Sequence, residues 1–161
     1  MGASRAPLRT GKVPTDTDLA YLAGVIDSDG SIYISKQPPY GTQTNPAYRL
    51  VVNISQNTQE AQDFAESLYG GVRRQQEPDG KSRVHTLFRW QIDGHRAVQC
   101  IKDIYPFLKV KRLQAWLGLE FRANLTMHNP LHLEDLAVRE GFYLAMKQAK
   151  VGAMTGGDVL P

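Results

Sequence analysis

The segment Leu22-Ala-Gly-Val-Ile-Asp-Ser-Asp-Gly30 constrains the fold of this chain more than any other, because it joins a helix to a strand. Its apolar positions and those just before it follow one helical face, and the hydrophobic period changes to two directly after the segment. Asp27 and Asp29 therefore stand at the carboxyl end of the helix, where the helix dipole does not favour negative charge. Taken alone, Asp-Ser-Asp-Gly is also compatible with a solvated turn between helix and strand.

Small side chains are the second unusual feature of this helix. Ala20, Ala23 and Gly24 lie within its last turns, and a glycine inside a helix costs about 1 kcal/mol relative to alanine. Such residues allow two helix backbones to approach closely, so the sequence predicts contact with a second helix. The acidic residues do not form a calcium-binding EF-hand loop, since its later ligands and its glutamate are missing.

The remaining pattern predicts an α+β fold. Helices, strands and turn residues alternate in the order αββαββα, followed by additional C-terminal helices. The four strands are predicted to form one antiparallel sheet with helices on one face and an open, polar face on the other. The predicted strands are 31–36, 48–56, 72–76 and 83–92, and the predicted helices after the first start near 57–60, 93–94, 108 and 131, the last two ending near 124 and 150.

Length and composition limit the alternatives. A chain of 161 residues is typical of one domain, predicted for residues 15–150, with flexible tails at 1–14 and 151–161. The net charge of +3 permits a nucleic-acid partner without requiring one. Cys100 is the single cysteine, which excludes a disulfide framework and a cysteine-rich zinc module. No apolar run is long enough to span a bilayer, so we expect an intracellular protein that does not bind membranes, in a prokaryotic cytoplasm or an organelle.

The nonapeptide resembles the motif that gives the LAGLIDADG homing endonucleases their name. Seven of its nine positions are identical, with Val25 and Ser28 as the departures. Asn53-Ile-Ser-Gln56 with the following Asn-Thr-Gln resembles a strand and helix start of the single-motif members, and Pro106–Lys111 resembles a segment that carries a basic residue. The resemblance extends over roughly residues 15–125 and agrees with the predicted order of elements.

This resemblance implies a site-specific DNA endonuclease, encoded within an intron, that hydrolyses phosphodiester bonds with a metal. It implies a double-strand break with short 3′ overhangs in a long, near-palindromic double-stranded target. Because the chain has one motif and not two, a C2 homodimer is the closed way to assemble two active sites. Mg²⁺ is the expected cofactor, and Ca²⁺ is expected to support binding without cleavage.

The family's site residues transfer to matching positions. Asp29 would be a metal ligand, with the backbone carbonyl of Ser28 beside it; Gln56 would order active-site water, and Lys111 would supply positive charge. Close members have a second basic residue where this chain has Glu60.

The same transfer gives the subunit contact. Ala20, Ala23 and Gly24 would meet the second helix, and Asp27 would bond at the helix end or across the dimer.

The open sheet face would read bases in the major groove, since alternate strand residues point to it. The strand faces depend on register, and a shift of one residue exchanges them. Lys109 and Arg112 would contact the DNA backbone. The base-contacting candidates are Tyr33, Lys36, Tyr40, Gln43, Arg49, Val51, Arg73, Gln75, Arg83, His85 and Arg89.

Two alternative functions are compatible with the same sequence features. A non-cleaving regulator could bind DNA with this fold, and an RNA maturase could bind intron RNA. Such proteins often lose the acidic residue of the motif, so Asp29 favours a nuclease. A calcium-binding or purely structural domain would not explain the small residues of the helix or the basic strands.

Overall fold

The structure, a computed structural model, describes residues 13–126 and 131–155. The predicted α+β order, αββαββα with additional C-terminal helices, is confirmed. A short 3₁₀ turn, Tyr105–Phe107, precedes the fourth helix. The elements are α1 (Asp16–Asp29), β1 (Gly30–Gln37), β2 (Ala47–Gln56), α2 (Glu60–Tyr69), β3 (Val72–Gln76), β4 (Leu87–Asp93), α3 (Gly94–Ile104), α4 (Arg112–Ala123) and α5 (Leu133–Thr155).

The boundaries of β4, α4 and α5 differ most from the predicted ones. β4 begins at Leu87, after the predicted start at Arg83, because the carboxylate of Asp79 accepts the backbone N–H groups of residues 81–83 and holds them in a turn. α5 continues to Thr155, past the predicted end at residue 150. The flexible tail predicted for 151–161 therefore does not begin at 151, while most of the tail predicted for 1–14 lies outside the described residues.

The four strands form one antiparallel sheet in the order β1-β2-β4-β3. On one face, Ile34 lies opposite Leu50, and Val52 opposite Ile92, and these side chains are buried in the core with the helices. Trp90 is fully buried on the same face, and its Nε1 donates to the carbonyl oxygen of Gly70 at 2.7 Å. The helices therefore cover one face, as the hydrophobic alternation requires.

Two contacts fix the ends of the helical layer. Thr15 caps α1 in a reciprocal box, since its hydroxyl accepts the N–H of Asp18 and the Asp18 carboxylate accepts the N–H of Thr15. At the other end of the chain, α5 packs against α4 and β1, with Met146 and Ala149 buried. In the described part of the chain, no helix combines the length and the hydropathy that a membrane crossing needs.

Candidate active site and nucleic-acid interface

The carboxyl end of α1 brings Asp29 and Gln56 together. Gln56, the last residue of β2, donates from Nε2 to Oδ2 of Asp29 at 2.8 Å. The junction depends on Gly30, since a Cβ there would lie 2.7 Å from the Cα of Ile26 and 2.9 Å from the carbonyl oxygen of Asn53. Glycine thus lets β1 leave the helix directly against β2, and this path leaves the carboxylate of Asp29 exposed beside Gln56.

Asp27 has a different role, because its carboxylate binds the backbone before α4. Oδ2 accepts the N–H groups of Lys109 at 2.7 Å and Val110 at 3.1 Å, and Oδ1 accepts the N–H of Lys111 at 2.9 Å. The ammonium group of Lys111 donates to the carbonyl oxygen of Asp27. Asp27 therefore bonds at the helix end, as one of the two predicted roles requires, and these bonds explain why α4 begins at Arg112 and not near residue 108.

Lys111 is thereby held beside both acidic residues of the motif. Its side chain is half-buried, and this burial lowers the pKa of the ammonium group below its ordinary value. The negative charges of Asp27 and Asp29 oppose that shift, while the positive charge of Lys150 on α5 adds to it. The site therefore combines an exposed carboxylate, a carboxamide and a partly desolvated cation.

The metal-binding capacity of one chain is limited. Among residues 13–126 and 131–155, no group of three or more His, Cys, Asp or Glu side chains could hold an ion. The remaining candidate ligands are the carboxylate of Asp29 and backbone carbonyl groups at the end of α1, including that of Ser28. Carbonyl groups at a helix end have no hydrogen-bond partner within the helix. These are hard oxygen donors of the kind that suits Mg²⁺, which keeps several waters and uses one or two carboxylates. The residues present thus fit an Mg²⁺ ion that keeps most of its waters.

The small residues of α1 divide between two faces. Ala20 and Gly24 are exposed, and a Cβ added at Gly24 would meet no atom within 4 Å. Tyr21 lies on the same face and is 50% exposed. Ala23 is fully buried in the chain's own core, so the prediction that it contacts a second helix is wrong. The face formed by Ala20, Tyr21 and Gly24 is open, and it is called the α1 face below.

The sheet face opposite the helices carries part of the predicted DNA-contacting set. Tyr33, Arg49 and Arg89 point to it, since each is adjacent in sequence to residues of the buried face. Arg89 donates from Nε to the hydroxyl of Ser55 at 3.1 Å. Val51 shares this face but is only 2% exposed, so its side chain is not available to DNA.

Three predicted contacts lie on the wrong face. Lys36 alternates with Ile34 and binds Glu140 of α5 at 2.8 Å. Arg73 pairs with two carboxylates of α2, at 2.6 and 3.1 Å. Gln75 shares the face of Arg73 and donates to Glu77. These predictions are wrong because the ladder turns each of the three side chains toward the helices.

The residue missed in their place is Arg74. It is exposed and lies opposite Arg89 in the β3–β4 ladder, so the two guanidinium groups share the open face with that of Arg49. A nearby acid is Asp93, 3.6 Å from Arg49. Alternation around the buried Trp90 could have identified Arg74, but β3 has no apolar alternation of its own.

The other predicted contacts lie in loops. Tyr40 and Gln43 are exposed in the β1–β2 loop, and His85 is exposed in the β3–β4 loop. Arg83 pairs within its own loop with Asp79 at 3.6 Å.

The two predicted backbone contacts flank Lys111. Lys109 is exposed, and the guanidinium group of Arg112 lies 4.9 Å from the ring centre of Tyr105.

Comparisons with known proteins agree with this architecture. No family model matches the chain, and no curated protein matches it by sequence. Among solved structures, it is similar to the homing endonuclease I-CvuI in complex with its DNA target, with 20% identity over 90% of this chain and 86% of that chain and a TM-score of 0.61. It is also similar to the archaeal intron-encoded homing endonuclease I-Vdi141I complexed with DNA, with 18% identity, 83% and 84% coverage and a TM-score of 0.65.

A third solved structure differs in length. The LAGLIDADG homing endonuclease I-SmaMI bound to cleaved DNA has 14% identity and a TM-score of 0.61, and the match covers 86% of this chain but 47% of that one. At these identities the likeness shows the fold, and the chain has the fold of the homing endonucleases.

Proposed function

We propose that this chain, which has the fold of the LAGLIDADG homing endonucleases, is a site-specific DNA endonuclease that cuts both strands of its target as a homodimer. The observation that carries the proposal is the placement of Asp29, Gln56 and Lys111 together at the end of the motif helix. The sequence resemblance assigns these three positions to the active site. Their meeting in the folded chain, across three separate elements, supports that assignment.

The homodimer is proposed from the α1 face and from the single copy of the motif. Ala20 and Gly24 are exposed on this face, and a Cβ added at Gly24 would meet no atom within 4 Å. The face therefore allows the same helix of a second copy to approach closely. A C2 dimer presents two equivalent surfaces, so its target is expected to be near-palindromic.

Two copies would place their Asp29 carboxylates near the symmetry axis. Like charges held close together repel strongly unless cations or protons neutralise them. A bound Mg²⁺ would supply that neutralisation and stabilise the charge that develops on the attacking and leaving oxygens. I-CvuI has been solved with the I-CreI target in 2 mM Mg, uncleaved, and with its own target in 2 mM Ca, and we propose the same ions for this chain.

Gln56 and Lys111 have different proposed roles in the reaction. Gln56 fixes the orientation of the Asp29 carboxylate and can order a water on its second carboxamide hydrogen. Lys111, partly desolvated and held by Asp27, offers positive charge to the phosphate. Water attacks phosphorus in line, the bond to the 3′ oxygen breaks, and the products are a 5′ phosphate and a 3′ hydroxyl. Each subunit cuts one strand, and the resemblance implies short 3′ overhangs.

DNA binding is proposed for the open sheet face. Arg49, Arg74 and Arg89 give it positive charge, and a twisted antiparallel sheet suits the major groove. Binding that relies on such groups weakens steeply as salt is raised.

The proposal is tested by first selecting the DNA that the chain binds and then measuring whether the chain cleaves it. Duplexes from a random library are enriched by binding to the full chain in Ca²⁺, then incubated with Mg²⁺, and the ends are sequenced. The proposal predicts cuts in both strands of one near-palindromic sequence. Enriched DNA that stays intact in Mg²⁺ would contradict the nuclease, and intron RNA splicing would then be measured instead.

A further inference from the structure

A cavity next to the proposed active site contains two lysines from different helices. It has a volume of about 340 Å³, is open on one side, and lies between the end of α1, the start of β1, the segment before α4, and α5. Lys111 and Lys150 line it together with the polar residues Ser28, Ser31 and Gln114. Ile32 and Val110 supply the apolar part of the lining. The cavity is therefore large enough for a phosphate group, and the two ammonium groups and the polar side chains are the lining groups that can bind one.

Lys150 brings a second positive charge to the cavity. No carboxylate of the described residues lies within 4.0 Å of its ammonium group, which instead lies 5.3 Å from the ring centre of Tyr33. Its charge also acts unfavourably on Lys111, although more weakly than the negative charges of Asp27 and Asp29 act in the opposite direction. Two cations that share a cavity repel each other, and an anion between them would remove that cost.

The position of Lys150 is set by the packing of α5. Met146 and Ala149, on the turn before it, are buried, and Nε2 of Gln114 donates to the carbonyl oxygen of Ala149 at 3.5 Å. Nearer the start of α5, the carboxylate of Glu140 accepts hydrogen bonds from Lys36 and from the hydroxyl of Tyr48. The helix is thus attached to both α4 and the sheet, and these attachments hold Lys150 at the cavity.

We propose that Lys150 is a phosphate-binding residue of the active site, which holds the phosphate of the cut strand in this cavity together with Lys111. The inference rests on the proposed nuclease function.

The first experiment compares Lys150→Met with Lys147→Met in the full chain. Lys147 is a matched control, since it lies on the same helix and its ammonium group lies 5.4 Å from the ring of Tyr143, away from the cavity. For Lys150→Met we expect DNA binding in Ca²⁺ to weaken roughly tenfold and its salt dependence to fall by about one counterion per subunit. Single-turnover cleavage in Mg²⁺ should also slow, and Lys150→Arg should restore both.

Unchanged affinity, salt dependence and cleavage in Lys150→Met would overturn the inference while leaving the nuclease intact. Thermal unfolding of each variant checks that the fold is retained, as expected for an exposed side chain.

The second experiment does not depend on DNA cleavage. Inorganic phosphate is titrated into the protein while the ε-methylene signals of its lysines are followed by NMR. Lys111 and Lys150 should shift together with one dissociation constant, Lys147 should not, and Lys150→Met should raise the constant for Lys111 about tenfold. If both lysines respond but the wild-type chain cuts no DNA, the nuclease proposal fails and the phosphate site stands. If Lys150 does not respond, the phosphate site is refuted.

Discussion

Replacing Asp27 with Asn should destabilise the chain by about 2 kcal/mol. The carboxylate accepts three backbone N–H groups, two on Oδ2 and one on Oδ1. Asn keeps one acceptor oxygen, so at least one N–H group then faces the amide NH₂ and loses its partner. A hydrogen bond to a charged group contributes about 1.5–3 kcal/mol, and water reaches this half-exposed site, which places the net cost at the lower part of that range.

The measurement is equilibrium urea unfolding at matched protein concentration, since unfolding of a dimer depends on concentration. A loss of this size should lower the midpoint by roughly 1 M with an unchanged slope. Asp93→Asn is the control, because this carboxylate lies in a surface ion pair with Arg49 at 3.6 Å and makes no side-chain cap bond to α3, and it should change stability by less than about 0.5 kcal/mol. An Asp27→Asn midpoint equal to that of the wild type would refute the role assigned to these three bonds.

Three further predictions concern packing. Gly141→Ala, a change inside α5 with open space around it, should stabilise by about 1 kcal/mol in urea unfolding. Gly118→Ala should gain clearly less, since its Cβ would lie 2.7 Å from Cδ1 of the buried Leu50; an equal gain at both positions would contradict this close contact. Gly24→Leu should shift sedimentation from dimer to monomer, and a persistent dimer would exclude the α1 face. Cys100 is fully buried, which raises its thiol pKa, so an aromatic disulfide reagent should react with it only in urea; prompt reaction in buffer would contradict this burial.

The local sequence pattern was sufficient to predict the fold. The motif helix, its cap at Thr15 and the glycine at its end follow from residues close together in sequence. The order of strands and helices was equally readable, since period and turn residues change together. The end of α5 was not, because Val151, at the start of the extension past residue 150, is exposed and adds no apolar period that would predict a longer helix.

The DNA-facing residues were harder to predict. Tyr33 and Lys36 are three residues apart in one strand, so they cannot share a face. The face of Arg74 is decided across the ladder by Trp90 and Arg89 on β4. Lys150 carries no local signal at all, since it reaches the cavity only through the docking of α5.

Cleavage by Asp29→Asn tests the central claim most directly. The substrate is the duplex selected in Ca²⁺, and both proteins are compared for binding in Ca²⁺ and for single-turnover cleavage in Mg²⁺. We expect the variant to bind with near wild-type affinity and to cut roughly a thousandfold more slowly, since it loses the carboxylate proposed to hold the ion. Cleavage at the wild-type rate by Asp29→Asn would contradict the account.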